Sequence, residues 1–144
     1  MLATFGCALI AAVAAGIVVL HGGGNGTAEA ARVAAPSCAS VERGIAPPPE
    51  VPAAVLPPGT IVTAVSHPRA GRTLVQGIVA SPFRSAVEFF VVKLPAAGYL
   101  NTTGDAEMDE AESYFRGAEI RGKWKVNGIL GCAEAVRLAL IVTA

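Results

Sequence analysis

The chain has 144 residues, and its 11 Lys+Arg balance its 11 Asp+Glu. That length suits one ordinary domain, and a net charge of zero excludes the global field by which nucleic-acid and acidic-lipid binders gather their partners. Apolar residues make up 53% of the chain, with the excess at the N-terminus, and two histidines, His21 and His67, leave little for a His-based metal site.

Residues 1–20 carry no charge and are rich in Ala, Val, Leu and Ile. About 20 helical residues cover the roughly 30 Å hydrocarbon core of a bilayer. Gly22, Gly23, Gly24, Asn25 and Gly26 then break the helix. Residues 1–30 therefore read as a signal peptide or signal anchor with a Gly-rich spacer. The basic residues that ordinarily precede such a segment are missing. Ala28-Glu29-Ala30 has the small residues of a cleavage site, so a cleaved, secreted chain and an uncleaved, membrane-anchored one both stand. Cys7 lies ahead of most of the apolar run, where a lipid-modified cysteine would follow it.

Residues 31–58 read as a stalk. Pro47, Pro48, Pro49, Pro52, Pro57 and Pro58 fall within it, and their ring-locked φ angles and missing amides exclude helix and favour extended polyproline II. A semi-rigid spacer is the plainer use of such a run; a ligand for a proline-binding groove is the other.

The folded domain is expected over residues 59–144. Residues 60–65 and 73–80 are β-branched runs bounded by Pro and Gly, hence strands, with a turn at 67–71. Residues 81–99 read as the one helix, with Ser81 as N-cap and Pro82 at the first helical position. Phe83, Ala86, Val87, Phe90, Val91 and Leu94 share one face of it. Phe89 and Val92 interrupt the polar side and offer a second apolar contact, open to self-association. Pro95 opposes continuation and Gly98 supplies the stop. A short strand at 99–102 can follow.

Residues 110–116 and the strand reaching Asn127 form a hairpin through a two-residue turn at Gly117-Ala118. That register sets Phe115 opposite Ile120, Ala111 opposite Trp124, Glu112 opposite Lys123 and Glu110 opposite Lys125, opposite charges that support the pairing. Gly122 leaves room for a large neighbour, Trp124 or a helix phenylalanine. Residues 136–142 alternate into a last strand. The expected class is α+β: one amphipathic helix on one face of a small antiparallel sheet, in the order β-β-α-β-β-β.

With Cys7 in the apolar segment, Cys38 and Cys132 remain as an even pair, which in an exported chain reads as a disulfide clipping the stalk to the domain. Five carboxylates, Asp105, Glu107, Asp109, Glu110 and Glu112, crowd one loop. Asp105, Glu107 and Asp109 are the candidate oxygen ligands for Ca²⁺. The EF-hand template fails, with Glu110 where Gly is needed and Arg116 where the closing Glu belongs. A solvated acidic loop is the plainer reading. His67 has no nucleophile context such as GxSxG, and nothing favours a carboxylate pair for glycoside cleavage. Arg121, Lys123 and Lys125 with Trp124 suggest a basic, aromatic nucleic-acid surface, but alternation turns Trp124 to the opposite face. No catalytic or cofactor-binding residue emerges.

Between Phe89 and Leu140 the pattern FF…LPAAGY…GDAE…EAES.F.G…G.W.V..I.GC…L resembles secreted or membrane-anchored proteins of high-GC Gram-positive (actinobacterial-type) bacteria that have no assigned activity. The resemblance implies an extracytoplasmic location and a disulfide-compatible fold, and it implies no chemistry. The function expected is a non-catalytic binding domain of the cell envelope. Its partners would be an envelope protein or small ligand, and the membrane if the N-terminal segment is retained; nucleic acid is not among them. An envelope enzyme or accessory subunit using the acidic loop 105–112 is the alternative.

Overall fold

A computed structural model describes residues 37–39 and 44–144. The apolar segment with Cys7, its Gly-rich spacer and the 28–30 cleavage pattern lie outside the described residues. Among the described residues no helix is long and apolar enough to cross a membrane.

Alternating apolar residues build six strands: β1 (Thr60–Arg69), β2 (Arg72–Val79), β3 (Leu100–Ala106), β4 (Glu110–Arg116), β5 (Arg121–Ile129) and β6 (Cys132–Thr143). They form one antiparallel sheet in the order β1-β2-β6-β5-β4-β3. Among the described residues one helix, α1 (residues 83–96), joins β2 to β3 and packs over the central strands β5 and β6. The α+β class holds, but the order is β-β-α-β-β-β-β. The short strand expected at 99–102 extends to Ala106, because a bulge between Asn101 and Gly104 restores its pairing with β4. The first hairpin is also tighter than expected, with His67 and Pro68 inside β1.

One face of the sheet is covered. Val62, Val75, Phe115, Trp124, Val126, Leu138, Leu140 and Val142 point from it into a single core with Ala86, Phe90 and Leu94 of α1. The Phe90 ring lies stacked on the Trp124 indole at 4.6 Å.

The helix departs from its expected form. Its N-cap is Pro82, with no side-chain capping bond, so Ser81 does not act as the cap. The chain is α-helical over Phe83–Glu88, π-helical over Phe89–Lys93 and α-helical again over Leu94–Ala96. The extra residue in the wide turn carries the chain through Pro95, which was expected to end it. It also shifts the apolar stripe: Phe89 packs against the core, while Val91, expected on the buried face, is 55% exposed. In a π turn the carbonyl of Phe90 would receive the amide of residue 95, and Pro95 has none. The Asn101 side-chain amide donates to that carbonyl at 2.7 Å instead, and its oxygen accepts the Trp124 indole N–H at 2.9 Å. One asparagine thus ties the irregular turn to the sheet. Gly98, at φ +92°, stops the helix as expected.

The proline-rich segment is not a projecting stalk. Val55 is fully buried and Val51 nearly so, both in the main core. A 3₁₀ turn at Ala53–Val55 aims them inward. Ile45 donates its amide to the Val62 carbonyl on the outer edge of β1. Glu50 binds His67 at 2.8 Å and Thr73 at 2.9 Å. Residues 45–58 are therefore a strap belonging to the domain. Prolines exclude helix, but two valines four residues apart were enough to hold the strap down.

Cys38 and Cys132 are disulfide-bonded across 94 residues of sequence, as expected. Ala39, beside Cys38, packs with Ile78, Cys132 and Ala135 in a second, small cluster.

The β4–β5 register differs from the expected one by two residues. Arg116 faces Arg121, Phe115 faces Gly122, Ser113 faces Trp124 and Ala111 faces Val126. Residues 117–120 form a four-residue connection in place of the Gly117-Ala118 turn, closed by the Gly117 amide on the Ile120 carbonyl. Ile120 leaves the ladder to fill the core. Gly117 is needed because a Cβ there would meet the Tyr99 ring at 2.5 Å. Gly122 is needed because an added Cβ would run into the Ile141 backbone carbonyl and lie 2.7 Å from the Phe115 ring; the close neighbours are these, not Trp124 or a helix phenylalanine.

Candidate binding groove on the open face

The other face of the sheet carries no helix. Its side chains fall into transverse rows, because antiparallel register aligns one residue per strand. The first row reads Arg72, Thr143, Arg121, Arg116 and Leu100 across β2, β6, β5, β4 and β3. The second reads Leu74, Ile141, Lys123 and Tyr114, and the third Gln76, Ala139, Lys125, Glu112 and Asp105. Beyond these come Ile78, Arg137, Asn127 and Glu110. The charge is segregated along the strands, from arginines at one end to carboxylates at the β3–β4 corner.

At the acidic end the carboxylates have partners. Lys125 Nζ lies 2.6 Å from Glu110 and 3.9 Å from Glu112, and Lys123 Nζ lies 2.6 Å from Glu112. The expected charge pairs form, diagonally in place of directly across. The Lys125 bond, and after it the Asn127 amide, holds the Glu110 carboxyl below the usual carboxylate range. The same bond to Glu110 raises Lys125. Asp105 caps the amide of Ala106. Asp105 and Glu107 line a recess of about 100 Å³ with Glu110 and Glu112, and Asp109 is not part of it. Among the described residues no set of three His, Cys, Asp or Glu side chains is gathered to hold a metal ion.

His67, the only histidine of the domain, meets Glu50, whose carboxyl is held below its ordinary range chiefly by that hydrogen bond. Among the described residues its side-chain hydrogen-bond partner is Glu50, not a hydroxyl nucleophile. Trp124 sits in the core, away from the basic side chains, as alternation required.

The arginine end is different. Arg72, Arg116 and Arg121 make no ion pair among the described residues. Like charges directly opposite in a sheet are destabilising, yet Arg116 and Arg121 are direct partners. A two-residue turn would have set Arg116 opposite Glu119. Together with Lys123, Tyr114 and Ile141 these arginines line an open groove of about 660 Å³. That is the size of a small-molecule site. Its floor is mixed: Ile141 is half-buried, and Tyr114, 53% exposed, has Lys123 Nζ 5.3 Å from its ring centre. No carboxylate lines it.

A second recess of about 350 Å³ opens between α1 and β3–β4, beside Val87, Val91 and Trp124. Its polar wall is Asn101, Asp105, Glu112 and Ser113, of which Asn101, Glu112 and Ser113 already bond within the fold.

Sequence reasoning placed Arg121 on the open face but missed its meeting with Arg72 and Arg116, which depends on a register that alternation leaves open. In comparisons with known proteins, no family model matches the chain, and neither does any curated protein or solved structure.

Proposed function

We propose that the chain is an exported, non-catalytic binding domain of the bacterial cell envelope that captures a ligand on the open face of its sheet. The observation that carries this reading is the groove of about 660 Å³ whose arginines have no carboxylate partner among the described residues. The Cys38–Cys132 bond is compatible with an oxidising, extracytoplasmic compartment. The apolar segment at 1–20 provides for export, and for attachment to the membrane if it is retained. The zero net charge and the acidic half of the same face disfavour nucleic acid as the partner. The enzyme alternative built on residues 105–112 has less support, because Glu110 and Glu112 already hold lysines and the neighbouring Ser113 hydroxyl is engaged by the Thr103 carbonyl.

The test is amide chemical-shift mapping of the full chain in nonionic detergent against a panel of neutral, cationic and anionic fragments. The reading predicts shifts that converge on Tyr114, Lys123 and Ile141. Shifts confined to residues 105–112, or turnover of a fragment, would replace it with the enzyme reading.

A further inference from the structure

We infer that the groove recognises an amphipathic oxyanion: a phosphate or carboxylate group held by Arg116 and Arg121, attached to a flat or apolar body laid over Tyr114 and Ile141. This rests on the open-face reading and specifies its ligand.

The arginine row breaks the local rules of sheet design. Arg116 and Arg121 are direct cross-strand partners, with Arg72 two strands further along the same row. All three are without ion pairs among the described residues. Four residues away, the same two strands arrange their charges as Glu110, Glu112, Lys123 and Lys125 in alternating sign. β4 and β5 can therefore neutralise charge, and at their other end they do not. A local conflict without a compensating contact is where a binding role is expected.

The spacing selects the ligand. Neighbouring strands lie about 4.8 Å apart, so the side chains of Arg116 and Arg121, on one face and one strand apart, converge on a single oxyanion. Guanidinium groups match the planar, forked geometry of carboxylate and phosphate oxygens. Arg72, about two strand spacings further on, holds a second anionic oxygen of an extended ligand. The next row along the strands, about 7 Å away at 3.4 Å per residue, is Ile141, Lys123 and Tyr114. It offers an aliphatic surface and an exposed phenol ring to the body of the ligand. Lys123 is engaged by Glu112, so the anion belongs to the arginines. A bare inorganic ion leaves most of the groove unfilled.

The probes are 1-naphthyl phosphate, its neutral counterpart 1-methoxynaphthalene, and inorganic phosphate. Each is titrated into the full chain in nonionic detergent and read by amide shifts of residues 114, 116, 121, 123 and 141. The inference predicts that naphthyl phosphate binds at least tenfold more tightly than either fragment alone. Arg116→Gln and Arg121→Gln should each weaken it by about tenfold or more, the scale of a charged hydrogen bond. Arg137→Gln, which removes the same charge from the same face outside the groove, should leave affinity unchanged. Equal binding of the neutral probe, indifferent to both groove arginines, would overturn the oxyanion and keep the open-face reading. No shift in the groove with any probe would overturn both. An equal loss with Arg137→Gln would overturn the site in favour of general charge. The same chain in nanodiscs separates two sources of the anion. Groove shifts in anionic over zwitterionic lipid, without added probe, assign it to a lipid headgroup, and shifts only with soluble probe assign it to a free ligand.

Discussion

The covered and open faces of one sheet use the same alternating strands for opposite ends. On the covered face every buried side-chain polar atom among the described residues has a partner: Trp124 and the Phe90 carbonyl both find Asn101, and Thr73 finds Glu50. On the open face the acidic end is equally well matched, through Glu110, Glu112, Lys123 and Lys125. Among the described residues Arg137 and the arginine row are left without ion pairs, and it is in the row that two like charges, Arg116 and Arg121, face each other directly. The difference teaches that this chain can satisfy its polar groups where stability needs it, and that an unmatched row points to something from outside.

That contrast can be broken at several depths. The largest effect belongs to the disulfide. Because the bridge closes a separation of 94 residues, Cys38→Ser with Cys132→Ser is expected to lower stability by about 4–5 kcal/mol in the chain-entropy argument. Urea unfolding with and without reductant measures it, and an unchanged midpoint would mean that the strap and Ala39 are held without the bridge. Next, Phe90→Ala removes a fully buried ring stacked on Trp124 and should cost about 3–5 kcal/mol. A loss comparable to that of an exposed residue would disprove a single core around the helix. Asn101→Leu leaves the Phe90 carbonyl and the Trp124 indole without partners. About 1–3 kcal/mol is expected for each stranded group, read in the same unfolding curves. The contradictory result would be a helix that tolerates the change, with no loss of amide protection after Pro95.

Smaller still is the pH response of the matched end. Glu110 titrates below its ordinary range in the folded chain. Its contribution to stability is therefore present above the ordinary carboxylate range and lost as pH falls through the lowered value. Lys125 is raised by the same bond, so its contribution is present below the ordinary lysine value and lost as pH rises through the raised one. Glu110→Gln should make both limbs of a melting-temperature profile shallower while leaving the neutral plateau flat. Unchanged limbs would assign the pH response to other groups, Glu50 first among them.

Much of this was legible in the residues. Alternation assigned the faces of β4, β5 and β6, and the 3.6-residue stripe found Ala86, Phe90 and Leu94. The disulfide followed from counting cysteines. Register was not legible, because a two-residue slip keeps every side chain on its face. It also lets Glu112 reach Lys123 either directly or diagonally. The arginine row exists only in the true register, so no pattern in the sequence announced it. Two further features depend on partners distant in the chain. Val51 and Val55 hold down a segment whose prolines say only that it is not helical. Pro95 stays inside the helix because a π turn precedes it and Asn101 takes the carbonyl that is left free.

The central claim is that the arginine row is kept against the interest of the fold. Urea unfolding of Arg121→Glu in the full chain at low salt tests it most directly, because the change turns the direct Arg116–Arg121 pair into one of opposite charges. The account predicts a gain of about 0.2–1 kcal/mol over the parent chain. A loss of stability, shared by Arg121→Gln, would show that Arg121 is there to hold the sheet together, and the open face would lose its claim to a ligand.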